Sequence, residues 1–260
     1  MTRTDGTKFV VLSAQRSGST WFVDVLNHLG TTVFTELLLP RKKAREQRLM
    51  SWSTAEYLDR TLRAQPLYCE TRGGRMRVRP LSLVAYLNEV YRRPGPVGFK
   101  LMYSNVRRYP EVWAYVALRR LHVVHLVRRN HLDVVISEEM RWATRTVHRI
   151  LDEPAGPQPQ IELEPSGLLR RLRRLRRNVE RARWLLRASR VPHLEVTYES
   201  VVQDDRGFDR VAEFLAIDRQ GRAPRSRLAK LVRGERAAVV RNYAEVRRAL
   251  GATEFASLLD

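Results

Sequence analysis

Apolar residues in this chain fall in short blocks separated by longer amphipathic stretches. Five blocks are rich in β-branched and aromatic side chains: Phe9–Leu12, Thr32–Thr35, Val97–Met102, His122–Val127 and His193–Val196. Between them, apolar positions recur at helical spacing over Gly18–Leu29, Leu81–Tyr91, Glu111–Arg120, Leu132–Val147, Gly167–Ser189 and Phe208–Leu215. Strand and helix in alternation, with strands apolar nearly throughout, predict an α/β domain. Its central, mainly parallel sheet is covered by helices on both faces. Two stretches break the rhythm. Residues 39–80 are long, polar and basic, and residues 148–166 carry Pro154, Pro157, Pro159 and Pro165. Such insertions are where α/β domains build pockets and lids. A single domain over 1–260 is expected, with both insertions shaping an acceptor pocket.

Composition changes this picture little. The chain has 260 residues, 43% of them hydrophobic, enough to bury a full core. Cys69 is its single cysteine, which excludes an intrachain disulfide and a cysteine-cluster metal site. No apolar run approaches the ~20 residues that span a bilayer. The run Lys8–Leu12 leaves no room for a signal peptide, so a cytoplasmic protein is expected. The net charge of +20 favours anionic partners. Arginine-heavy usage also follows from a GC-rich genome, so charge by itself does not choose a function.

The most informative stretch is Phe9-Val-Val-Leu-Ser-Ala-Gln-Arg-Ser-Gly-Ser-Thr-Trp-Phe-Val-Asp-Val-Leu26. A buried strand runs through small and hydroxylated residues into a helix beginning near Gly18. Backbone N–H groups and the positive helix end then point at one spot, an anion cradle. Gly18 permits close backbone approach, Ser17, Ser19 and Thr20 add hydroxyl donors, and Arg16 adds a charged fork. An ordinary capped turn would also place Ser and Thr here. A nucleoside-triphosphate loop would carry glycine at 13 and lysine at 19, where this chain has Ser13 and Ser19. The carboxylate that holds magnesium at a neighbouring strand end is missing too, since His122–Val127 runs into Arg128-Arg129-Asn130. The pattern predicts a phosphate site that works without a metal.

Gln15-Arg-Ser-Gly-Ser-Thr-Trp21 resembles the 5′-phosphosulfate loop of sulfotransferases that use 3′-phosphoadenosine 5′-phosphosulfate, particularly their bacterial branch. The resemblance implies a P-loop-like topology, a 3′-phosphoadenosine 5′-phosphosulfate co-substrate and adenosine-3′,5′-bisphosphate as product. It also implies that Arg16 neutralises charge on the leaving phosphate, with Ser17, Gly18, Ser19, Thr20 and Trp21 completing the loop. His125-Leu-Val-Arg-Arg-Asn-His-Leu-Asp-Val-Val-Ile-Ser137 is similar to the family's second signature, which maps the 3′-phosphate ligands to Arg129 and Ser137. Arg128 is the alternative to Arg129. His193-Leu-Glu-Val-Thr-Tyr-Glu199 resembles a family strand that sets Tyr198 by the adenine and makes Glu199 structural. Arg233 or Arg236, ahead of Arg241-Asn-Tyr-Ala-Glu-Val246, is similar to a basic segment that closes over the 3′-phosphate. Gly98-Phe-Lys-Leu-Met102 resembles a strand whose lysine, Lys100, reaches the phosphosulfate.

One departure matters for the chemistry. Cytosolic relatives carry a histidine base two residues after that lysine, where this chain has Met102. A bacterial sugar-sulfating branch implies Glu36 instead, although a surface carboxylate reads the same in sequence. His148 and Glu70 are further candidates. Arg16 and Lys100 would stabilise the transferring group. Trp52, Tyr57, Tyr68 and Trp142 are available to line an acceptor pocket for a carbohydrate, glycolipid or natural-product hydroxyl. Two other classes remain: a P-loop kinase, and a non-catalytic nucleic-acid-binding protein supported by charge alone. The arginine run from Leu168 has an apolar stripe at Leu168, Leu169, Leu172, Leu175 and Val179, and reads as a core-packed helix with a solvated basic face. No nucleic-acid partner is expected.

Overall fold

The computed structural model describes residues 6–35, 37–38, 69–72, 75–78, 80–146, 149–151 and 157–259. In chain order the strands are β1 (Lys8–Ser13), β2 (Thr32–Phe34), β3 (Cys69–Arg72), β4 (Arg75–Val78), β5 (Val97–Met102), β6 (His122–Val127), β7 (Arg149–Ile150), β8 (His193–Thr197) and β9 (Leu228–Ala229). The helices are α1 (Ser19–His28), α2 (Pro80–Tyr91), α3 (Tyr103–Arg108), α4 (Pro110–Leu118), α5 (His131–Thr144), α6 (Pro165–Ser189), α7 (Tyr198–Gln203), α8 (Arg206–Phe214), α9 (Arg236–Val239) and α10 (Tyr243–Gly251).

Five parallel strands form the central sheet in the order β2-β5-β1-β6-β8. Alternation along β1 sends Phe9 and Val11 to one face and Val10 and Leu12 to the other. The first pair packs with Phe22 and Leu26 of α1 and Phe208 and Val211 of α8. The second packs with Leu87 of α2, Val112 and Val116 of α4, and Leu186 of α6. The chain is therefore an α/β fold with a parallel sheet between two helical layers, the expected class. A third apolar cluster joins Leu132 and Met140 of α5, Leu172 of α6 and Leu250 of α10, and contains no strand of the central sheet.

The crossovers leave β1 in one direction, through α1 to β2, and reach β6 on its other side. A switch of this kind opens a crevice at the carboxyl ends of the strands. Helix α5 starts where Asn130 caps it, its side chain accepting from Asp133 N at 3.1 Å. It stops at Thr144, short of the expected Val147, because Arg145 adopts a left-handed φ of 53°. The stretch expected to be irregular over 39–80 contains the hairpin β3–β4. Residues 39–68, with Trp52, Tyr57 and Tyr68, lie outside the described residues, as do Glu36 and His148.

A polar chain ties the sheet to its helices. His125, fully buried on β6, lies 2.6 Å through Nε2 from the Tyr103 hydroxyl and 3.0 Å through Nδ1 from Glu195 on β8. Arg183 of α6 donates to both oxygens of Glu195, at 2.9 and 2.7 Å. An anionic Glu195 requires the proton on Nδ1, so Nε2 accepts from Tyr103 and each donor in the chain has one acceptor. The hydrogen bond from Arg183, then that from His125, pulls the Glu195 carboxyl from an ordinary 4.5 to about 2. The folded state therefore binds fewer protons than the unfolded chain between these values. Its contribution to stability is complete above pH 4.5 and is lost as pH falls towards 2. Urea midpoints measured between pH 6 and 3 are expected to fall less steeply for Glu195→Gln than for the wild type; parallel slopes would contradict this assignment.

Candidate active site

The turn after β1 places its residues by backbone conformation. Arg16 adopts a left-handed φ of 61°, which costs a non-glycine residue roughly 1–2 kcal/mol. Its guanidinium donates to the Ser137 hydroxyl through Nε at 3.1 Å and Nη2 at 2.9 Å. Gly18 also takes a positive φ, 80°, and a Cβ there would meet the Tyr198 ring at 2.3 Å. Glycine is required twice over, for its backbone and for the aromatic ring against it. Helix α1 then begins at Ser19. Lys100, 3% exposed, points from β5 beneath this helix and donates to Thr20 Oγ1 at 3.1 Å.

A cavity of about 500 Å³ lies over this turn. Its described lining includes Arg16, Gly18, Ser19, Thr20, Trp21, Lys100, Ser137 and Tyr198, so the structure brings both sequence signatures to one site. Further walls come from Met102, Ser104, Asn105 and Arg108 and from the strip Leu228–Val232. Six lining residues are cationic: Arg16, Lys100, Arg108, Arg128, Arg141 and Lys230. Among the described residues the lining holds no carboxylate and no imidazole.

Arg128 and Arg141 are the decisive additions. The Arg128 guanidinium stands 4.9 Å from the centre of the Tyr198 ring, donates to Asp133 at 3.0 Å and reaches the Arg16 carbonyl at 3.4 Å. Arg141 lies one helical turn beyond Ser137 on α5, on the same face. Nε of each is buried and has no hydrogen-bond partner among the described residues. Burial, then Arg141, then Arg128 lowers the Arg16 guanidinium to about 10. Three cations line this one cavity with Arg16 half-buried among them, and their mutual repulsion is offset in part by Glu138.

Other expected ligands stand elsewhere. Arg129 is exposed and off the cavity wall. Its backbone N–H and that of Asn130 each donate to Glu199 at 3.1 Å, which fixes the strand end and leaves Arg128 on the cavity side. Ser17 is buried and its hydroxyl donates to the Ala14 carbonyl at 2.8 Å, closing the turn from inside. Arg233 and Arg236 are also off the wall. Arg236 donates to Asp133 at 2.9 Å, so this one carboxylate holds both Arg236 and Arg128. Asp133 and Arg141 went unrecognised in the sequence. The Asn130-x-x-Asp133 capping spacing and the four-residue step from Ser137 to Arg141 were the available signals. Trp142 is 65% exposed and off the described lining, with the Arg141 guanidinium 4.2 Å from its ring centre. Glu70 falls on β3, of which the backbone alone is described.

No protein-family model and no curated protein matches the chain. No described helix is long and apolar enough to cross a membrane.

The packing of Tyr198 on Gly18 yields a direct test. Gly18→Ala is expected to lower unfolding stability by about 2–4 kcal/mol, combining left-handed strain with overlap against the ring. An unchanged urea midpoint would show that this contact does not define the turn.

Proposed function

We propose that the cavity binds 3′-phosphoadenosine 5′-phosphosulfate and that the protein transfers its sulfuryl group to an acceptor hydroxyl. One observation carries this reading. The half-buried Arg16 guanidinium lines one cavity with Arg128 and Arg141, on a wall whose described residues include no carboxylate. Such a wall suits a ligand with several negative charges, and the buried Nε–H groups of Arg128 and Arg141 fit the same demand. The turn at Ser19 and Thr20 suits the 5′-phosphosulfate. Arg128 with Ser137 and Arg141 suits the 3′-phosphate, Arg128 taking the role that spacing gave to Arg129. Tyr198, stacked with Arg128, offers an aromatic face to adenine.

In the transfer, the acceptor oxygen forms a bond to sulfur as the bond from sulfur to the 5′-phosphate oxygen breaks. The acceptor proton passes to a base. Cations on the leaving and equatorial oxygens stabilise this loose, in-line transition state. Lys100 beside Thr20, and Arg16 on exchanging its Ser137 hydrogen bonds for the phosphosulfate, supply that charge, each worth about 2–4 kcal/mol by analogy with oxyanion donors. Met102 lines the cavity where relatives keep a histidine, so the base is assigned to Glu36, outside the described residues. The acceptor carries a hydroxyl, with a carbohydrate, glycolipid or natural product preferred in that order. Cytoplasmic placement belongs to the same reading.

The rival phosphotransferase reading differs in its ligand. Adenosine-3′,5′-bisphosphate without magnesium is expected to raise the thermal midpoint, and magnesium–ATP to do so far less; the reverse order favours a kinase. Arg128→Ala is expected to weaken bisphosphate binding about tenfold or more, while Arg129→Ala leaves it within about twofold. Equal losses would reject the choice of Arg128. Glu36→Gln is expected to keep bisphosphate binding and lose turnover by about 100-fold or more; full turnover would remove Glu36 from the chemistry.

A further inference from the structure

Helix α6 carries its charge in two different ways. Its apolar stripe, Leu168, Leu172, Val179, Ala182 and Leu186, is buried against the body of the protein. Arginines flanking the stripe are matched to acids on neighbouring elements. Arg171 pairs with Glu138 and Glu139 on one flank, and Arg173 and Arg183 pair with Glu254 and Glu195 on the other. The crest opposite the stripe differs. Arg170, Arg174, Arg177 and Arg181 are exposed there, and none has a carboxylate partner among the described residues. Trp184 ends the row with 64% of its surface exposed.

Geometry makes this a line rather than a patch. At 3.6 residues per turn, these five side chains fall within an arc of about 80° and follow the helix for about 21 Å. Neighbouring arginines are then on average ~5–6 Å apart along the axis. A solvated basic face accounts for the arginines alone, and single exposed aromatics such as Trp142 occur elsewhere on the protein; what distinguishes Trp184 is its place at the end of the charged row. A flexible strand carrying one negative charge every few ångströms matches a single row of cations of this length and spacing.

We propose that the crest of α6 binds single-stranded nucleic acid, with phosphates along Arg170, Arg174, Arg177 and Arg181 and a base stacked on Trp184. A cationic track with an aromatic platform is the general means of holding a single strand without reading its sequence. The surface is separate from the cavity wall, since none of these side chains lines it. The inference therefore does not rest on the proposed transfer chemistry. It departs from the expectation drawn from the sequence, where paired and unpaired arginines look alike.

Anisotropy of a labelled oligothymidylate of about twelve residues, titrated across salt concentrations, tests the proposal. Four phosphate contacts predict a log–log salt slope near −3, at about −0.7 per contact for single strands. Arg177→Gln with Arg181→Gln should roughly halve that slope. Trp184→Ala should weaken binding about tenfold or more at an unchanged slope. Arg128→Ala and saturating adenosine-3′,5′-bisphosphate should leave oligonucleotide binding intact, which separates this surface from the cavity. All five positions are exposed, and unchanged thermal midpoints would confirm that the variants fold. Wild-type affinity in the variant with all four arginines replaced by glutamine would overturn the proposal. So would preferential binding to phosphatidylserine vesicles or to a heparin-type glycan over the oligonucleotide.

Discussion

Three guanidinium groups held together at the end of a parallel sheet govern this structure. Arg16 is pushed down to about 10 by burial and by Arg141 and Arg128. Their repulsion persists because each is anchored from behind. Ser137 receives Arg16, Asp133 holds Arg128, and the backbone of α5 carries Arg141 one turn beyond Ser137. Arg16 pays for its position with a left-handed backbone, and Gly18 beside it admits the Tyr198 ring. The surrounding framework makes this possible. Buried strands fix the end of β1, the Asn130 cap fixes the start of α5, and Glu199 ties the two backbone N–H groups between β6 and α5. The site is a concentration of positive charge held in place by the fold itself.

Much of this was legible in the sequence, for identifiable reasons. The strands are apolar nearly throughout because both sheet faces are covered, so β5 and β6 begin and end where their apolar runs do. The turn around Gly18 was legible because a glycine among small hydroxylated residues after an apolar run marks a tight strand-to-helix junction. What failed was the direction of individual side chains. Spacing favoured Arg129 over Arg128, and only the Glu199 clamp with the Asp133 and Tyr198 contacts shows that Arg128 faces the cavity. Ser17 reads as a donor in sequence, yet its hydroxyl closes the turn internally. The short helix α3 follows β5 without a break and offers no periodicity to recognise.

The polar chain from Tyr103 through His125 and Glu195 to Arg183 was also illegible, because its members come from four different elements whose packing the sequence does not show. It links the end of β5 to β6, β8 and α6. Ser104, Asn105 and Arg108 on the cavity wall therefore continue directly from an anchored Tyr103. The same helix α6 is pinned at its flanks by ion pairs and leaves its crest to solvent. Core-facing, pinning and outward residues follow one another within each turn. A run of leucine and arginine that looks uniform in sequence thus serves three physical roles.

In the proposed function, Arg16, Arg128 and Arg141 form a receptor for a nucleotide bearing phosphate at both ends of its ribose. Titration calorimetry in the presence of a chelator, comparing adenosine-3′,5′-bisphosphate with adenosine 5′-phosphate, tests it most directly. The second phosphate is expected to tighten binding about tenfold or more, since charge-assisted hydrogen bonds contribute roughly 1.5–3 kcal/mol. Equal affinities for the two nucleotides, or binding that appears only when magnesium is restored, would contradict it.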